Sequence, residues 1–148
     1  MSILEFFEEY IKKGVVKKIK PNIERAKSLV KISERRIESL KEQTEKLKVK
    51  NENANDYIEY CYDTLMLLIR SKMLVDGYSA SGMEAHKAEI SYLRNLKFSE
   101  INIEFLDKLR FFRNGMLYYG TILDKEYAEK VIYFTKEIYN RLRRLIKL

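Results

Sequence analysis

Apolar residues recur along the chain at intervals of three and four, with few prolines or glycines to interrupt them. The clearest run is the last: Val131, Phe134, Ile138, Leu142 and Leu145 stand 3, 4, 4 and 3 residues apart and mark one stripe of a helix. An earlier run predicts a helix beginning after Pro21 and reaching about Lys48, with Ile23, Ala26, Val30, Ile37, Leu40 and Leu47 inward and most of its lysines in water. Asn51 to Asn55 reads as a polar loop. Asp56 with Glu59 then opens a third helix whose apolar residues, Ile58, Cys61, Leu65, Leu68, Ile69 and Val75, surround it, which makes it the central one. Gly77 ends that helix. The small residues Ser79-Ala80-Ser81-Gly82 connect it to a short helix from about Glu84 to Asn95. A fifth helix starts near Ser99-Glu100, and Gly120 to Asp124 turns the chain into the last one. At the beginning, Ser2 with Glu5 makes a capping box and Gly14 offers a left-handed cap. Phe6, Phe7, Tyr10 and Ile11 supply a broad apolar face, so residues 3 to 13 are predicted to be helical and to pack on their own domain or on a partner chain.

These elements predict an all-α fold: an antiparallel bundle of four to five helices, formed as one domain by residues 15–148, with residues 1–14 as a short helical appendage. A single proline, five glycines and no regular turn spacing argue against a β-sandwich or barrel. A chain of 148 residues needs only one core.

Composition adds an electrostatic expectation. The net charge is +7, and the excess is N-terminal: residues 1–50 hold 14 basic and 8 acidic side chains, the rest 15 and 14. An anionic partner such as RNA fits that balance. Arg141, Arg143, Arg144 and Lys147 are candidates to track a phosphate backbone, although cations are favoured at a helix C-terminus in any case. The lone Cys61 lies in an apolar run and reads as a buried reduced thiol, which suits a cytoplasmic protein. No apolar run approaches the roughly 20 residues of a membrane span, and the first residues lack the pattern of a signal peptide. Abundant Lys, Glu, Ile and Tyr beside a single glutamine, Gln43, resembles the composition of thermophile proteins. No metal-ligand cluster, Gly-rich phosphate loop or Ser/His/Asp set is visible, so no metal and no cofactor is expected.

The segment Leu109-Arg110-Phe111-Phe112-Arg113-Asn114-Gly115-Met116-Leu117-Tyr118-Tyr119-Gly120 carries the candidate chemistry. At about 100° per residue, Phe105, Leu109, Phe112, Met116 and Tyr119 share one face of the fifth helix, and Asp107, Arg110, Asn114 and Tyr118 the opposite one. Arg113 falls between them, flanked by Leu106 and Leu117. Burying an arginine is costly unless it is paired or lines a wet cleft, so Arg113 is expected at the edge of a packed surface, as in a dimer cleft. A carboxylate, a guanidinium, an amide and a phenol within three turns suit the binding of a phosphate or ribose. The plainer reading is a helix-surface ion pair between Asp107 and Arg110, three residues apart. His86, the sole histidine, reads either as a packing residue of the short helix or as a base reaching across to Arg113.

From about Tyr57 to Ile146 the order of signals resembles the HEPN family (higher-eukaryote-and-prokaryote nucleotide-binding domains). The matching features are Tyr62-Asp63 opening a buried helix, Gly77-Tyr78 ending it, Glu84-Ala85-His86 starting a short one, then Leu106 to Arg110, Arg113-Asn114 and Tyr118-Tyr119-Gly120. The resemblance implies an all-helical bundle that dimerises. In active members it implies a metal-independent ribonuclease carrying an arginine, usually followed by Asn, and a histidine four to six residues further on. Arg113-Asn114 matches, but Tyr118, Tyr119 and Gly120 stand where the histidine belongs. A tyrosine, with a pKa of about 10, is poorly matched to accepting a ribose 2′-hydroxyl proton near neutral pH, a task that suits a histidine. The resemblance therefore implies RNA or nucleotide binding through Arg110, Arg113, Asn114, Tyr118 and Tyr119. Cleavage at Arg113, Asn114 and Tyr118 is expected to be weak or absent. Toxin-like members of toxin-antitoxin pairs associate with a nucleotidyltransferase that attaches AMP to a tyrosine two residues past the motif histidine. Counted from Tyr118 that slot is Gly120, with Tyr119 beside it as a candidate for modification. A divergent ribonuclease using Tyr118 or His86 as base, and a purely structural interaction subunit, remain as alternatives.

Overall fold

A helix that is apolar on every side has to be surrounded, and α3 (Ala54–Asp76) is the axis of the molecule for that reason. Ile58, Cys61, Leu65, Leu68 and Ile69 are all inaccessible to solvent, with α2 (Ile23–Leu47) and α6 (Lys125–Leu145) along its length. Helices α4 (Ala85–Asn95) and α5 (Glu100–Tyr119) cover the rest of it. With α1 (Phe7–Lys12), there are six α-helices among the described residues, 4–148 of the computed structural model. The fold is an all-α helical bundle. No described helix is long and apolar enough to cross a membrane.

Local chemistry explains most of the boundaries. Asn22 caps α2 by accepting from Arg25 N at 3.1 Å, Ser99 caps α5 through Asn102 N, and Asp124 caps α6 through Tyr127 N. Ala26, Val30, Ile37 and Leu40 face the core of α2 as expected, whereas Ile23, Leu47 and, on α6, Leu145 are partly exposed. These three lie on terminal turns, and Ile146, just past α6, takes a buried place instead. The polar loop expected over Asn51 to Asn55 is shorter. Asn51–Asn53 forms a 3-10 turn closed by the Asn53 side chain, which accepts from Lys50 N and donates to Lys48 O, so α3 begins at Ala54.

Two short strands depart from the purely helical expectation. Strand β1 (Val16–Lys18) pairs antiparallel with β2 (Tyr78–Ala80), Val16 opposite Ala80 and Lys18 opposite Tyr78, where only a small-residue linker had been predicted after α3. Gly77 makes this possible. Its φ of +89° is a left-handed cap, and a Cβ there would lie 2.9 Å from Ile19 O, whose amide bonds Gly77 O at 2.8 Å. The N-terminal helix is shorter than expected, with Phe6 at its N-cap and no side-chain bond there. Ser2 of the proposed capping box lies outside the described residues, and Glu5 pairs with Lys13 at 2.7 Å. Phe7 and Tyr10 are buried in the common core, Phe7 against Tyr78 and Tyr92, so α1 packs on α4 of its own chain. Cys61 is buried, and desolvation pushes its thiol up to about 11, the behaviour of an inert packing residue.

Candidate functional site

Helix α5 is anchored by Ile103, Leu106 and Leu109, which pack on α3 and α4. That stripe, not Phe105, Phe112 and Tyr119, is its most buried one. Two of its positions are charged. Asp107, 3% exposed, accepts from Arg110 Nε at 2.9 Å, so the i, i+3 pair expected on the helix surface is a buried one. The stripe continues one turn on to Arg113, where the end of α4 uncovers it.

Arg113 sits at the edge of the packed surface. Its Nη2 donates to Asp63 on α3 at 3.3 Å, with 21% and 35% of the two side chains still exposed. The guanidinium carbon lies 5.7 Å from the centre of the Tyr62 ring, within cation–π range. Its Nε is buried and has no hydrogen-bond partner. Tyr62 is fully buried, and its hydroxyl shares a 2.8 Å hydrogen bond with Nδ1 of His86, at the start of α4. Desolvation drives the Tyr62 pKa well above its ordinary value. Desolvation also lowers the His86 pKa, and the cations Arg70 and Arg113 push it the same way against Glu89 and Asp63, which favours the neutral imidazole. Behind them Arg70 clamps the buried Glu89 with two bonds of 2.7 and 3.1 Å.

Three helices thus bring Tyr62 and Asp63, His86 and Glu89, and Arg110 and Arg113 into one polar cluster inside an apolar bundle. Its charges are not equally committed. Arg70 and Arg110 hold short bonds to carboxylates that are almost wholly buried, whereas Arg113 holds a single long one and leaves a donor unused. Its buried Nε is out of reach of solvent, but with one hydrogen bond and 21% of the side chain exposed Arg113 has terminal N–H groups to spare for an anion.

The remaining sequence candidates lie elsewhere on α5. Asn114 is half-buried beside Arg113, while Tyr118 and Tyr119 are 75% and 87% exposed. Tyr118 is five residues, hence about 140° around the helix, from Arg113, so the two do not meet within one chain. The end of α5 is nonetheless fixed. Gly120 takes the left-handed cap position and Thr121 N bonds Gly115 O, in a fold-back so close that a Cβ on Gly115 would lie 2.8 Å from Thr121 Oγ1. Asn55 clamps the following loop by donating to Thr121 O and accepting from Leu123 N, both at 2.9 Å. Phe111, Leu117 and Ile122 stand exposed around this end beside the two tyrosines. In the last helix Arg141 lies over the Phe98 ring and Arg143 bonds Ile146 O, which ties both to the fold.

Tyr62, Asp63, Arg70 and Glu89 were not singled out as site residues from sequence. Their signal was polar side chains at helical spacing on otherwise apolar faces: Asp63 and Arg70 seven apart on α3, His86 and Glu89 three apart on α4. Among the described residues no group of three or more His, Cys, Asp or Glu side chains is placed to hold a metal ion. Comparison of the chain with protein-family models, with curated proteins and with solved structures finds no match.

Proposed function

We propose that this chain is a HEPN-like subunit of a toxin-antitoxin or nucleotidyltransferase-associated system. In this reading it dimerises through the C-terminal half of α5 and binds the phosphate of an RNA or nucleotide at Arg113, with cleavage weak or absent. The observation that carries it is Arg113 itself: a guanidinium at the rim of the core, held by a single 3.3 Å bond and still partly exposed. The exposed apolar end of α5, with Phe111, Leu117 and Tyr118, supports a two-fold interface beside that guanidinium, in which Tyr118 of one copy would approach the cleft of the other. Exposed Tyr119 would be open to a modifying partner.

One further observation favours the ribonuclease alternative. His86 belongs to the same cluster as Arg113, and in the tautomer whose Nδ1–H donates to the Tyr62 hydroxyl its Nε2 is free to accept a proton. The ribose 2′-oxygen would lose its proton to His86 and attack phosphorus. The bond to the 5′-oxygen would break, that oxygen would take a proton from water, and a 2′,3′-cyclic phosphate would remain.

The test combines filter binding of single-stranded RNA over a salt range with a cleavage assay in EDTA. Binding that falls steeply with salt and is lost in Arg113→Met, with no cleavage, supports the binding reading. Cleavage that survives Tyr118→Phe and is lost in His86→Gln supports the enzyme. Absence of both activities at low salt leaves the interaction subunit. A Tyr118→His variant restores the family's spacing after Arg113 and should raise cleavage if the cleft is otherwise intact.

A further inference from the structure

Helices α5 and α6 each pack on α3 but scarcely approach one another, and aromatic rings span the space between them. Phe105 of α5 meets Phe134 of α6 with ring centres 4.3 Å apart, and Phe112 meets Tyr127 edge-on at 5.3 Å. The result is an open groove of about 580 Å³ at Phe105, Tyr133 and Phe134, with a second hollow of about 520 Å³ at Phe112 and Tyr127. Phe105 and Phe112, the α5 residues of the two, stand seven apart on one face of the helix. They span about two helical turns, or roughly 10 Å. Tyr133 on α6, and Ile101 one turn before Phe105, are large apolar side chains that nothing in the described chain covers. The groove lies on the side of α5 away from the Arg113 stripe, so it is independent of the function proposed above.

Its charge runs against that of the molecule. In a chain of net charge +7, the first hollow is rimmed on α6 by Glu126, Glu129 and Glu137 with only Lys130 among them, while the second has Lys108 and Asp124 in balance. Lys125 approaches Glu129 at 3.9 Å, while Glu126 and Glu137 have no ion-pair partner among the described residues. Such a rim repels nucleic acid and attracts Lys and Arg. An apolar floor about two turns long with an acidic edge is complementary to a helix that is apolar on one face and basic beside it.

We propose that the α5–α6 groove docks a basic amphipathic helix of a partner protein, its apolar face on Phe105, Phe134 and Tyr133 and its Lys or Arg side chains on Glu126, Glu129 and Glu137. Two labelled synthetic helices of about 18 residues test this, with identical leucine positions and either Lys or Glu on the flanks, by fluorescence anisotropy against the full chain at about 100 mM salt. The overall charge disfavours the cationic peptide, so its binding reports the local rim. The Lys peptide should bind at least about tenfold more tightly than the Glu peptide. Tyr133→Ser, a neutral truncation of an exposed side chain, should weaken it about tenfold, and Glu129→Lys with Glu137→Lys should reverse the preference. Circular dichroism checks that both variants stay folded. Equal binding of the two peptides, no binding, or binding indifferent to Tyr133→Ser overturns the proposal. So does a dimer, seen by light scattering, that Tyr133→Ser dissociates, because the groove would then belong to a second copy of the chain.

Discussion

Replacing Arg113 by methionine separates a residue kept for function from one kept for stability. Methionine preserves most of the apolar stem and removes the charge. In the fold Arg113 has one long hydrogen bond to a part-exposed Asp63, worth at most about 1 kcal/mol, and a cation–π contact with Tyr62 of roughly 0.5–1 kcal/mol. Against these stands a buried Nε without a partner, which costs about 1–3 kcal/mol. The balance runs from about 1 kcal/mol favourable to about 2.5 kcal/mol unfavourable, so Arg113→Met should leave the urea midpoint nearly unchanged or raise it. Arg70→Met, in the same cluster, is the control: it leaves the buried carboxylate of Glu89 without its two short bonds and should cost about 3–5 kcal/mol. RNA binding, if it rests on Arg113, should meanwhile fall about ten- to a hundredfold in Arg113→Met, equivalent to roughly 1.4–3 kcal/mol. Urea unfolding followed by circular dichroism, with binding measured on the same preparations, reads both effects. If Arg113→Met destabilises as much as Arg70→Met, Arg113 is a structural ion-pair member and the case for an anion site at α5 fails.

Tyr127→Phe should stabilise by about 1 kcal/mol, a rise of roughly 3 °C in Tm by calorimetry, because the buried hydroxyl it removes has no hydrogen-bond partner; a fall in Tm would reveal a bonded hydroxyl. The folded His86 pKa lies below its unfolded value of about 6.5, so below that pH the unfolded chain binds the extra proton. Stability should therefore decline as pH falls from 7.5 through 6.5 toward the folded pKa, less so in His86→Gln, and NMR of this sole histidine should give a midpoint below 6.5. Leu117→Lys, on a half-exposed side chain, should dissociate any dimer seen by light scattering without lowering the monomer's Tm; an unchanged dimer would place the interface elsewhere.

Periodicity and end signals determined the helices. The stripe Val131, Phe134, Ile138, Leu142, the all-round apolarity of α3, the start of α5 near Ser99 and the stops at Gly77 and Gly120 are local facts, each fixed by residues within a turn or two, and all were legible in sequence. The pairing of β1 with β2 was not, because Val16 and Ala80 are joined by contacts across the whole of α2 and α3. The same limit applied to α5. Its wheel has an aromatic face and a polar one, and nothing in the wheel itself says which of them the bundle buries. The bundle buries Asp107 and half-buries Arg110 because α3 and α4 lie on that side, while the aromatic rings reach across to α6. Sequence also named Arg113 and placed it at the edge of a packed face, which a helical wheel can do. That His86, 27 residues away, belongs to the same cluster, and that Asp63 holds the guanidinium only loosely, depended on how three helices pack, and spacing along one helix carries no information about that.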